Sequence, residues 1–227
     1  MRWHKKENIV CFTKEEINSL IKEAKQKEIF IEMAKRGTSF DDLANNMALR
    51  DEISNAIVSK LSKDKDEVEI FIVATMLPDF YDNDCEICFS LKDTFNPEKT
   101  PIKDLATLKA AIKENSPIDF WILTKAGFSA FQLKRYRDNP TNEELLTFIE
   151  NKLKHYGNNM GDINLLILLQ PQNRSLTVDF EGLSEKIAKK GLGFKGSILI
   201  WFNEGNKFDV IVELYPTFRA RKLPINP

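Results

Sequence analysis

The segment that most constrains the fold of this chain lies at residues 117–136. Apolar side chains at Ile118, Phe120 and Ile122 alternate with other residues, which is the two-residue period of a strand. A second apolar run follows the short Lys-Ala-Gly segment that ends at Gly127. Glycine readily adopts the positive φ that tight hairpin loops need. The pattern therefore predicts two strands joined by a tight turn.

Three polar side chains interrupt this apolar hairpin. Asp119 opens the first strand, and Gln132 and Lys134 lie two residues apart in the second, so the last two point to the same face. A buried carboxylate or ammonium costs several kcal/mol unless it is paired or binds a metal. The trio therefore forms either a structural ion pair or a functional site.

As a functional site, the trio is suited to hydrolysis of phosphodiesters with a divalent metal ion. Asp119 and the side-chain oxygen of Gln132 are hard oxygen ligands of the kind that Mg²⁺ binds, and the Leu133 carbonyl could add a third. Lys134 would orient or activate the attacking water, or offset charge that develops on the phosphate.

These residues resemble the motif of the PD-(D/E)XK nuclease superfamily, in which an Asp near the start of one strand precedes Glu-x-Lys on the next. Pro-Ile-Asp at residues 117–119 and Gln-Leu-Lys at 132–134 match that motif, with Gln132 in place of the acidic residue. The resemblance covers about residues 105–215. It implies a nuclease that uses Mg²⁺, or Mn²⁺, to cleave DNA or RNA, and it implies that the chain could work as a homodimer.

The resemblance also implies that a preceding helix can supply a further acidic residue to the metal site. Glu52 and Glu114 are the two candidates. For Glu114, a solvated helix end is the competing interpretation. Two other functions remain open. The chain could be an inactive, nuclease-like module that binds nucleic acid or protein, or an unrelated α/β protein in which Asp119 and Lys134 form a structural pair.

The rest of the chain alternates helical and strand patterns, which predicts an α/β fold with a mixed central sheet flanked by helices. Residues 1–66 are expected to form a helical N-terminal part, and residues 67–227 the nuclease-like core, with a single domain as the alternative. Helices are predicted at 14–36, 39–61, 104–114, 140–156 and 181–190, and strands at 67–77, 85–91, 162–169, 197–202 and 207–214. Residues 39–61 faintly resemble a helix-turn-helix, but one long or kinked helix is favoured.

Charge and hydropathy limit the partners. The net charge is −1, so a nucleic acid would have to be held by a local basic patch. Arg135, Tyr136 and Arg137 at the end of the motif strand are the candidates, with lysines of the following helices as further members of a phosphate track or as an ordinary mixed-charge surface. No apolar run approaches 18 residues, which predicts no membrane span.

The number and spacing of the cysteines are interpreted as those of a cytoplasmic protein without disulfides. Three is an odd number, which fits a reducing compartment better than a disulfide framework. Cys85 and Cys88 form a lone C-x-x-C. Zinc would need two further ligands from among Cys11, His4 and His155, so the pair is read as ordinary small core residues.

Overall fold

The computed structural model describes residues 1–63, 84–114, 116, 118–136, 138–156, 162–169, 176–204 and 208–224. The strand predicted at 67–77 and Arg137 lie outside these ranges.

Within the described residues, nine strands form one sheet and six helices accompany it. The strands are β1 (Arg2–His4), β2 (Ile9–Phe12), β3 (Glu86–Ser90), β4 (Phe120–Thr124), β5 (Gly127–Tyr136), β6 (Ile163–Leu169), β7 (Ile198–Glu204), β8 (Phe208–Tyr215) and β9 (Arg219–Pro224). The helices are α1 (Lys14–Arg36), α2 (Phe40–Asn45), α3 (Met47–Lys63), α4 (Leu105–Ala111), α5 (Asn142–Tyr156) and α6 (Phe180–Lys190).

The strands lie in the sheet in the order in which they occur in the chain. Neighbours are antiparallel from β1 to β5 and again from β7 to β9. The pairs β5–β6 and β6–β7 are parallel, and each is connected by a helix, α5 and α6 respectively. The predicted α/β class with a mixed sheet is confirmed.

Alternation along the strands creates two apolar faces. One face carries side chains such as Ile87, Phe120 and Phe131, which form a core with α1 and α4. The other carries Leu165 and Ile167 of β6, which pack with α5 and α6. Helices therefore lie on both faces of the sheet, as predicted.

The ends of α1 follow from the sequence. Thr13 and Glu16 form a reciprocal capping box, in which the Thr13 side chain accepts from the Glu16 backbone and the Glu16 carboxylate accepts from the Thr13 backbone. Gly37 ends the helix at φ 62°, in the left-handed region that favours glycine. Both ends of the helix predicted at 14–36 are confirmed.

The helical N-terminal part is only partly matched. Residues before α1 form β1 and β2, which belong to the sheet, because Ile9–Phe12 is a short apolar run that is buried on both sides. The helix predicted at 39–61 is interrupted at Asn46, whose backbone is extended at φ −126° and ψ 101°. The Asn46 side chain accepts from the Leu49 amide and so starts α3. The division at residue 66 stays a prediction.

None of the helices in the described ranges is long and apolar enough to cross a membrane. The basic segment after Pro216 contributes β9, which pairs with β8 and carries the charged side chains that are typical of an edge strand.

Candidate functional site

Asp119 lies where the chain enters β4. Its amide donates to the Phe131 carbonyl at 2.9 Å, and Phe120 is paired with Phe131 in the antiparallel ladder. Asp119 thus lies just before the first residue of β4 that is paired in the ladder, and its side chain reaches that of Gln132 on β5. The hairpin therefore brings the two predicted metal ligands together.

The Asp119 carboxylate binds to β5 through two hydrogen bonds. Its Oδ2 accepts from the Leu133 amide at 2.6 Å and from Gln132 Nε2. The Asp119 side chain thus continues the hydrogen bonding between β4 and β5 beyond the last paired residues of the backbone ladder. The contact joins two of the three predicted site residues.

Gln132 is buried, with 2% of its surface exposed. Its Nε2 is used by Asp119, but its Oε1 is buried and accepts no hydrogen bond from the part of the chain that the structure describes. An unsatisfied buried acceptor costs about 1–3 kcal/mol. The site therefore contains an oxygen that lacks a donor, beside a carboxylate.

Lys134 and the Leu133 carbonyl lie next to this pair. Lys134 is half-buried on β5 and faces the same side as Gln132. The Leu133 amide points toward Asp119, so its carbonyl points to the same side of the strand. The two hydrogen bonds of Asp119 described above come from Gln132 and Leu133. They do not test a structural pair between Asp119 and Lys134, which stays a prediction.

The residues beneath the site are rigidly packed. Phe120 and Phe131, the neighbours of Asp119 and Gln132, stack with ring centroids 5.0 Å apart and are almost completely buried. Leu133 is 2% exposed on the same side of the sheet. Because these side chains hold the hairpin from the opposite face, the Asp119–Gln132 geometry is set by the core.

The two candidates for a further acidic ligand have other partners. Glu52 on α3 pairs with Arg36 of α1 at 2.8 Å. Glu114 pairs with Lys92 at 2.7 Å, and the hydrogen bond and charge of Lys92 lower the pKa of its carboxyl. Both side chains are exposed, and their role at the site stays a prediction.

Among the predicted nucleic-acid contacts, Tyr136 is engaged in packing. Its ring lies edge-on against Phe148 of α5 with centroids 5.1 Å apart. Burial, with smaller effects from the nearby carboxylates of Glu144 and Asp138, raises the pKa of its hydroxyl. Arg135 is half-buried, and its contact with nucleic acid stays a prediction.

The lysines of α6 are largely paired with carboxylates. Lys186 binds Glu143 and Lys190 binds Glu150, both across to α5, and Lys189 lies 3.3 Å from Glu185 in its own helix. These contacts favour one of the two interpretations of this surface, an ordinary surface of mixed charge, and argue against a track of lysines that binds phosphates.

A second polar cluster lies at the β1–β3 end of the sheet, and it corrects the interpretation of the cysteines. Cys11 and Cys88 are directly opposed on β2 and β3 and form a disulfide. His4, Cys11 and Glu86 place one ligand atom each within 4.8 Å of one another. Cys85 is buried and is not part of the disulfide. The disulfide removes the argument that an odd number of cysteines indicates a reducing compartment. Localisation in the cytoplasm stays a prediction.

This cluster could not be predicted from the sequence, because its residues are far apart in the chain. Cys11 and Cys88 are 77 residues apart, and β1 and β2 were not predicted. The only available signal was the rarity of the residues, since the chain has two His and three Cys.

Comparison of the chain with protein-family models, curated proteins and solved structures finds no match.

Proposed function

We propose that this chain is a nuclease-like hydrolase in which Asp119 and Gln132 bind Mg²⁺ or Mn²⁺ and Lys134 assists the attacking water, so that a phosphodiester of DNA or RNA is cleaved. The observation that carries the proposal is the buried Gln132 Oε1, which lies beside the Asp119 carboxylate and has no hydrogen-bond donor among the described residues. A cation would satisfy the Gln132 oxygen and would also be bound by the neighbouring carboxylate.

The donor set fits a hard divalent cation. Asp119 carboxylate oxygens, Gln132 Oε1 and the Leu133 carbonyl are all oxygen ligands, which Mg²⁺ prefers, and Mg²⁺ usually keeps several waters as well. When bound, the ion would polarise the phosphate and acidify a bound water. Gln132 brings no negative charge, so we expect weaker binding than for two carboxylates.

The position of Lys134 on β5 supports its proposed role. It lies on the same side of β5 as Gln132, one pleat repeat away, and a lysine side chain can span that distance. Its ammonium would donate a hydrogen bond to the attacking water or to a phosphate oxygen and offset the negative charge that grows in the transition state.

The architecture supports the proposal without identifying the family. The observed order β4–β5–α5–β6–α6–β7 is the hairpin, helix, strand, helix, strand order that the resemblance implies. In this order the strand that carries Gln132 and Lys134 lies inside the sheet, between β4 and β6, where its backbone is held on both sides.

The inactive binding module remains the second candidate, and one observation favours it. The Asp119 carboxylate already accepts two hydrogen bonds from β5, so it is stabilised without a cation. In that case Asp119 and Gln132 would only hold the start of β4 in register. The partner would be nucleic acid or protein, and homodimer formation stays a prediction in either case.

The first experiment is titration of the protein with MgCl₂ and MnCl₂ by calorimetry. We expect saturable binding to the wild type and its loss in Asp119→Asn, which keeps the size of the side chain. Asp138→Asn is the matched control, because Asp138 is an exposed aspartate just beyond β5. Absence of binding in the wild type, with and without nucleic acid, would overturn the metal site and favour the binding module.

The second experiment tests catalysis separately from binding. Single-stranded, duplex and branched DNA and RNA are incubated with Mg²⁺ or Mn²⁺ and the wild type, Lys134→Ala or Lys154→Ala. Lys154 is an exposed lysine on α5 and serves as the charge-matched control. We expect Lys134→Ala to reduce cleavage by about 100-fold or more while metal binding persists. Equal cleavage by the two variants would exclude the proposed role of Lys134.

A further inference from the structure

We infer that reduction of the Cys11–Cys88 disulfide opens a zinc site formed by His4, Cys11 and Glu86. This site is distinct from the Asp119 site and does not depend on the proposed nuclease function. It would make zinc binding by the chain conditional on the redox state of one disulfide.

The sheet register brings the three ligands together. Cys11 on β2 is paired with Arg2 on β1 and with Cys88 on β3. His4 lies two residues after Arg2, and Glu86 lies two residues before Cys88, so all of them share one face. The three ligand atoms of His4, Cys11 and Glu86 lie within 4.8 Å of one another.

Two of these ligand groups have buried atoms without hydrogen-bond partners in the described part of the chain. They are His4 Nε2 and Glu86 Oε2. The other oxygen of Glu86 is bound by Arg2 at 2.8 Å, and the His4 ring lies edge-on against Phe128. Buried polar atoms normally have partners. A cation between the two side chains would supply the partner that both atoms lack, while Arg2 and Phe128 orient the ligands.

The chemistry of the donors selects zinc over magnesium. An imidazole nitrogen, a thiolate sulfur and a carboxylate oxygen form a mixed set that zinc accepts, whereas Mg²⁺ takes oxygen ligands. Tetrahedral zinc separates its ligand atoms by roughly 3.3–3.8 Å, so a pair of ligand atoms at the 4.8 Å limit would have to close in by about 1–1.5 Å. With three protein ligands, the fourth position belongs to water.

The disulfide controls this site because Cys11 cannot supply a thiolate while its sulfur is bonded to Cys88. A dithiol reductant donates two electrons and two protons to the S–S bond, which breaks to give two thiols, and the reductant becomes its own disulfide. Zinc then displaces the proton of the Cys11 thiol and binds the thiolate.

The decisive variant is Cys88→Ser. It prevents the disulfide but leaves His4, Cys11 and Glu86 intact, so we expect it to bind one zinc without any reductant. Oxidised wild type should bind none at this site, and wild type treated with a dithiol, then freed of it, should bind one. Binding is measured by dialysis against ZnCl₂ with excess MgCl₂, followed by metal analysis. Co²⁺ serves as a second probe, because thiolate-to-cobalt absorption reports the sulfur ligand.

Matched variants complete the test. In the Cys88→Ser background, His4→Gln and Glu86→Gln should each lower zinc affinity by at least about tenfold, which is the usual scale for weakening a metal site. Cys85→Ser removes a thiol outside the cluster and should change nothing. Circular dichroism confirms folding of each variant. Zinc binding that survives His4→Gln, or that Cys88→Ser lacks while folded, would overturn the inference.

The result is independent of the nuclease proposal. Asp119→Asn should leave zinc binding by reduced protein unchanged. If magnesium binding fails and zinc binding succeeds, only the proposed function falls, and the reverse outcome removes only the zinc site.

Discussion

Two buried polar clusters lie on the same face of this sheet and differ in how the chain builds them. Asp119 and Gln132 are 13 residues apart and meet across a single hairpin. His4, Cys11 and Glu86 come from three strands, and the Cys11–Cys88 link alone spans 77 residues. A local motif can be recognised in the sequence, whereas a cluster built by strand order becomes visible only in the fold.

The two clusters also differ in chemistry. The hairpin cluster offers oxygen atoms and a nearby ammonium, which suits a hard cation. The β1–β3 cluster offers nitrogen, sulfur and oxygen, and a disulfide withholds its sulfur. If this contrast is correct, each cluster should respond to its own metal and to its own substitutions.

The largest expected effect concerns the disulfide. Its two cysteines are 77 positions apart in the sequence, and in the chain-entropy description such a cross-link is worth about 4.5 kcal/mol. Cys88→Ser should therefore lower the free energy of unfolding by about that amount. Urea denaturation of the variant and of the oxidised wild type measures the difference. Reduction of the wild type should have the same effect, and Cys85→Ser should not. Equal stability of reduced and oxidised wild type would contradict this prediction.

The next largest effect is on metal binding, where a substitution in one cluster should weaken binding of one metal and leave binding of the other unchanged. Asp119→Asn should weaken Mg²⁺ binding by about 100-fold, or roughly 2.7 kcal/mol, because it removes the negative charge that Asp119 contributes to the proposed site. It should leave zinc binding by reduced protein intact, and His4→Gln should do the opposite. Parallel titrations of both variants with both metals check this, and a variant that loses both metals would show that the clusters are coupled.

A smaller effect is expected for Gln132→Glu. A second carboxylate beside Asp119 is repelled and poorly solvated, so it should lower stability by about 1–3 kcal/mol without metal. Mg²⁺ should restore that loss and bind more tightly than to the wild type. Thermal unfolding with and without MgCl₂ measures both effects. Gln132→Met is the control, since it fills the same space without an oxygen ligand and should gain nothing from Mg²⁺.

The smallest effect concerns the residue between the clusters. Trp121 is paired with Cys88 on one side and Ala130 on the other, and its Nε1 donates to Ser90 Oγ at 3.2 Å. Ser90→Ala should cost about 1 kcal/mol by removing this hydrogen bond. Neither metal affinity should change, as measured by the same titrations, if the two clusters are independent.

Sequence reasoning succeeded where the signal was local. The capping box of Thr13, the turn at Gly127 and the apolar run of β6 each depend on nearby residues, and these elements were predicted closely. The same holds for the Asp119–Gln132 contact. The short strands β1 and β2 were missed because runs of three or four residues carry little periodicity, and only their pairing with β3 stabilises them. Without those strands, the partnership of Cys11 with Cys88 could not be foreseen.

The sequential order of the sheet has a consequence for how the chain reaches its native state. From β3 onward, each strand can add to the growing sheet soon after it is synthesised, because its partner is the preceding strand. The exception is the junction of β2 with β3, which must wait until the intervening helices have been made. Closing that long loop costs more entropy than forming the β4–β5 hairpin. We therefore expect the N-terminal hairpin to dock late, and the thiols of Cys11 and Cys88 to stay apart until it does.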